Sequence, residues 1–113
     1  MELFKLVQEN IYDDSKTESN YFFTDKILAH IICTYKHIAS ELCIYYYTVE
    51  VKRIELDDKE VEKIKSKIIT EINYDTLLKL FNLAEKSELE KGYGVSLETL
   101  INRSIQGMLQ RVD

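Results

Sequence analysis

His30, Cys33, His37 and Glu41 are the residues whose types and spacing come closest to chemistry. At about 100° per residue they fall within one arc of a helix. Imidazole and thiolate are ordinary zinc ligands. The same arc carries Lys26 and Lys36 at its edges, and no second His/Cys cluster exists to close a tetrahedral shell. A solvated helix face is the plainer reading, so no metal is expected. Pairing Cys33 with either histidine as a nucleophile and base is equally uninformative, because helix neighbours lie close together whatever their role. Asp57, Asp58 and Glu60 sit where a helix dipole favours acids, and no carboxylate pair stands out as acid and base. Gly92-Tyr93-Gly94 lacks the Gly-Lys-Ser/Thr of a phosphate loop. These residues imply no enzyme and no cofactor.

The remaining conspicuous group is the run Tyr45-Tyr46-Tyr47 with Glu50 and Lys52 just beyond it. In a strand, alternation sends Tyr45 and Tyr47 to one face and Tyr46, Glu50 and Lys52 to the other. Tyrosine is favoured where an apolar body meets a wet edge. These five residues are therefore the candidate partner-binding set.

The elements that must position them follow from patterning. Residues 2–12 place Leu3, Leu6, Val7 and Ile11 at helical spacing, and the polar run Asp13–Asn20 predicts a loop. Thr24 is a candidate N-cap for a core helix buried through Ile27, Leu28, Ile31, Ile32, Tyr35, Ile38, Ala39 and Leu42. Residues 44–56 are aromatic and β-branched and predict one long strand. The parity shift to Ile54 and Leu56 suggests a bulge or the strand's end. Such a strand needs a partner: the 67–72 segment, an undetected strand near 11–23, or the same strand of a second copy. Asp57 and Glu60 form a capping box, and Lys67–Ile72 reads as helix or as short strand. Residues 76–91 predict a helix with Leu77, Leu80, Phe81 and Ala84 inward. Ser96 caps a last helix. The expectation is a single α+β domain over residues 1–113, mainly helical, with four to five helices and one long strand.

Composition narrows the function classes. The chain has 113 residues, 45% hydrophobic and 31% charged, with a formal net charge of −5, no proline and two cysteines. Its acidity argues against a broad phosphate-binding surface. Cys33 and Cys43 would lie roughly 15 Å apart along one helix at about 1.5 Å per residue, too far to bridge, which points to reduced thiols and a cytoplasmic setting. No window has the unbroken apolar length of a membrane span.

Gly94–Leu109, with its small loop, Ser96, Glu98, Leu100-Ile101, Arg103, Ser104 and Ile105, resembles the second helix of the ribbon-helix-helix family. Residues 75–91 would then be the first helix and Lys67–Ile72 the strand, so the resemblance covers about the last 45 residues. It implies a dimeric DNA-binding regulator. Lys67, Ile69 and Glu71 would face the major groove, and the amides of Ser96 and Leu97 would hold a phosphate. In size and composition the chain also resembles small accessory, inhibitor and immunity proteins of phages and mobile elements. The first expectation is a non-enzymatic protein that binds another protein, and the alternative is the DNA-binding regulator.

Overall fold

The computed structural model describes residues 1–41, 47–89 and 94–109. Their elements in chain order are β1 (Glu2–Asn10), β2 (Lys16–Glu18), β3 (Phe22–Phe23), α1 (Lys26–Glu41) and β4 (Tyr47–Glu55). Then follow α2 (Asp58–Lys63), a 3-10 turn (Lys65–Lys67), β5 (Ile68–Ile69), α3 (Tyr74–Leu89) and α4 (Gly94–Leu109). The α+β class is as expected. The chain is less helical than the pattern implied, because a five-stranded mixed sheet accompanies four helices among the described residues.

The main correction is at the N-terminus. Residues 2–10 form a strand, and it is the partner of β4: nine residue pairs run antiparallel from Glu2↔Glu55 to Asn10↔Tyr47. Neither of the two partners that the sequence offers within the chain, residues 67–72 and 11–23, pairs with β4. Strands do occur within residues 11–23, but β2 and β3 pair with the other side of β1, and β5 pairs in parallel with β3. The polar run therefore holds β2, on the far side of a turn in which Asp14 takes φ 56, a left-handed conformation that Asp tolerates.

The cause of the misreading lies in burial. β1 is the central strand and carries buried apolar side chains on both faces. Phe4 (5% exposed) and Leu6 (2%) face the main core, while Leu3 (0%) and Val7 (7%) point the opposite way. Apolar residues at 3, 4, 6 and 7 reproduce the i, i+3, i+4 spacing of a helix. The shift of apolar parity in β4 likewise marks no bulge, since the register runs unbroken to Glu55. Ile54 simply pairs with Leu3 on the second face.

Helix α1 packs on the other face of the sheet. Asp25 caps it: its Oδ1 accepts the Ile27 amide at 2.8 Å, one residue after the expected Thr24. The buried side is Leu28, Ala29, Ile32, Cys33, Lys36, Ala39 and Ser40, whereas Ile27 is 70% exposed and Ile31 only half-buried. The helix is thus turned from its most apolar arc. It lies between the sheet on one side and α3 and α4 on the other, so small and polar residues are enclosed with the large ones. The expected capping box is present, with Glu60 N–H to Asp57 Oδ1 at 2.8 Å. Asn73 caps α3 by accepting the Thr76 amide at 2.7 Å.

Candidate interaction surface

Of the five candidate partner-binding residues, the three that are described, Tyr47, Glu50 and Lys52, lie on two faces of β4. Tyr45 and Tyr46 lie outside the described residues, as do Leu42 and Cys43. Tyr47 is half-buried on the inner face, where its hydroxyl donates to Glu98 Oε2 at 2.6 Å and lies 3.3 Å from the Lys36 carbonyl. It ties β4 to α1 and α4. The Lys36 ammonium is 3.5 Å from Glu98 Oε1 and 5.9 Å from the Tyr47 ring centroid. Glu50 and Lys52 point the other way and are exposed, with Lys52 bound to Glu18 at 3.0 Å. Lys5 grips the same carboxylate at 2.7 Å. The hydrogen bonds from Lys5 and Lys52 hold the Glu18 carboxyl below its ordinary pKa.

Two of the metal-like residues on α1 are committed to the β4 backbone, while His30 is exposed. Cys33 Sγ donates to the Val49 carbonyl at 3.3 Å, and His37 Nε2 meets the same oxygen. A carbonyl only accepts, so that ring nitrogen carries the proton. Burial raises the Cys33 thiol pKa, the opposite of an activated nucleophile. Among the described residues no three His, Cys, Asp or Glu side chains gather as a metal site.

A cleft of about 350 Å³ opens beside this cluster, lined in part by Gln8, Asn20, Tyr21, Lys36 and Asn102. Burial, with Glu98 and Cys33 nearby, keeps the Tyr21 phenol protonated far above its ordinary range. Among the described residues no buried side-chain nitrogen or oxygen lacks a partner. The cluster is internally satisfied and braces three elements.

The residues of the alternative reading are placed as follows. Lys67 and Glu71 are exposed, but Ile69 is 1% exposed in the core and its strand pairs with β3 of the same chain. Ser96 and Leu97 fall in the first turn of α4, and the Leu97 side chain is 0% exposed.

Sequence reasoning missed an aligned group of exposed apolar side chains on α3. Tyr74 (74%), Leu78 (42%) and Phe81 (49%) stand on one side of α3. Their i, i+4, i+7 spacing aligns them in a stripe. Of the residues expected inward, Leu80 (0%) and Ala84 (5%) pack inside, whereas Phe81 does not. A signal was present: residues 74–84 hold two adjacent apolar arcs, more than one packed neighbour uses.

Comparisons of the chain with protein-family models, curated proteins and solved structures found no match. Among the described residues no helix is long and apolar enough to cross a membrane.

Proposed function

We propose that this chain is a non-enzymatic interaction protein that acts in the cytoplasm by occupying the surface of another protein, in the manner of an inhibitor, immunity or accessory protein. The observation that carries this is the α3 stripe of Tyr74, Leu78 and Phe81. Three large apolar side chains aligned on a helix and left in water are the usual signature of a face awaiting a partner. The acidic net charge of −5 favours a basic partner surface around the apolar contact. Glu50 and Lys52, on the open sheet face, remain available as polar contacts.

Capture from native host cells tests the proposal. Wild-type protein should retain a partner that Leu78→Asp and Phe81→Asp variants lose, with both variants folded. Equal capture by wild type and variants would remove the stripe from the interface.

A second reading is a dimeric ribbon-helix-helix-type DNA regulator. The order β5, α3, α4, with two packed 16-residue helices, favours it. It requires the Lys67–Glu71 segment to leave β3 and pair with a second copy. Its test is DNA binding that weakens steeply with salt and is lost on Lys67→Ala.

A further inference from the structure

The ladder directions in the sheet show which backbone groups β4 leaves open. Ser19 N–H donates to the Leu6 carbonyl at 2.8 Å, and Leu6 N–H donates to Ser19 Oγ at 3.0 Å. The main chain of Leu6 thus points toward the β2 side. By alternation Lys5 and Val7 point toward β4 and exchange bonds with their partners Lys52 and Glu50. Val49, Val51, Arg53 and Glu55 therefore turn their N–H and C=O groups to the outer edge of β4. Helix α1 covers the first of these, because Cys33 and His37 both occupy the Val49 carbonyl. Past the strand, the Asp57 carbonyl accepts Val61 N–H and its amide faces Glu60 Oε1. What remains is a short window, 51–55, and no described segment pairs with it.

We propose that this window pairs antiparallel with the same window of a second copy, about a two-fold axis at Ile54. Open strand edges are adhesive, and the charges select the register. Centred on Ile54, Arg53 of each copy lies opposite Glu55 of the other, so two opposite-charge pairs form at the bonded positions. Centred on Arg53, the two guanidinium groups oppose each other. Centred on Lys52, the two ammonium groups do, and Val49, already covered by α1, would have to pair. In the selected register the half-buried Ile54 side chains meet across the axis and extend the apolar patch begun by Leu3. The two sheets join into one. The Arg53–Glu2 contact at 2.8 Å, on side chains 67% and 46% exposed, leaves the guanidinium reachable. This pairing is independent of the α3 stripe.

Two bonded residue pairs make a small contact, so dissociation constants of about 0.1–1 mM are expected. Sedimentation and diffusion measurements from about 0.02 to 2 mM protein bracket that range. The wild type should associate reversibly, with the Arg53 and Glu55 amides exchanging more slowly at the high end. Arg53→Glu alone and Glu55→Arg alone should each be monomeric throughout, because each opposes like charges twice. An equimolar mixture of the two variants should associate again, since acids on one copy then face bases on the other. A wild type that stays monomeric to the highest concentration overturns the proposal. So do single variants that associate as the wild type does, or a mixture that fails to recover. Both positions are exposed, and exchange of the buried β1 amides confirms that each variant is folded.

Discussion

Ile32 is the residue on which α1 turns. It is fully enclosed, while Ile31 one position away is half-buried. Ile32→Ala should cost about 2–5 kcal/mol in a urea melt, and Ile31→Ala clearly less; equal losses would mean the helix is rotated from the orientation described. Tyr47 was legible in sequence as an aromatic with a polar end to satisfy, but not as a brace, because Glu98 lies 51 positions away. Tyr47→Phe leaves a carboxylate oxygen without its donor and should cost about 1–3 kcal/mol. At alkaline pH, Tyr21 and Cys33 act together. Burial raises both pKa values above their ordinary 10.0 and 9.0. The folded chain then keeps protons that the unfolded chain has released, so stability falls as pH rises. The contribution is intact below about pH 9 and is lost as pH climbs toward the raised folded values. Urea midpoints measured from about pH 8 to about pH 11 should fall steadily, and Tyr21→Phe should flatten the decline at its upper end.

At the scale of elements, the sequence was most informative where one face of an element is buried. β4 alternates and was found within a few residues of its bounds, and the Asp57/Glu60 box marked the start of α2 correctly. It misled where two faces are buried. β1 looks helical because both its sides are apolar, and α1 is enclosed around much of its girth. The β1 assignment explains why β4 needs no second copy to satisfy its inner edge. Leu6, 2% exposed and centred in the ladder, is the residue on which that pairing depends. Leu6→Asp should unfold the protein, since it buries a charge with no partner; retained cooperative unfolding near the wild-type midpoint would contradict the sheet order. In α3 the inward arc holds Leu80 and Ala84 as the pattern predicts but stops short of Phe81, because helical periodicity does not distinguish an apolar arc packed in the core from its neighbour left in water. Phe81→Ala should therefore change stability by less than about 1 kcal/mol, while Leu80→Ala costs about 2–5 kcal/mol.

For the whole molecule, the satisfied inner cluster and the unsatisfied α3 stripe point in one direction. Cys33, His37 and Tyr47 hold α1, β4 and α4 together. The apolar groups that packing does not need are displayed on α3. The α3 stripe was not legible from the sequence, because it depends on which of two adjacent arcs remains outside after folding. On the proposed function, this stripe is where the protein meets its partner. Hydrogen exchange and side-chain footprinting of the free protein and of the complex isolated from native cells test it most directly. Protection on binding should concentrate at Tyr74, Leu78 and Phe81 and the backbone between them, with the α1–β4–α4 cluster unchanged. A complex in which these three side chains stay as reactive as in the free protein, with protection elsewhere, would contradict the account.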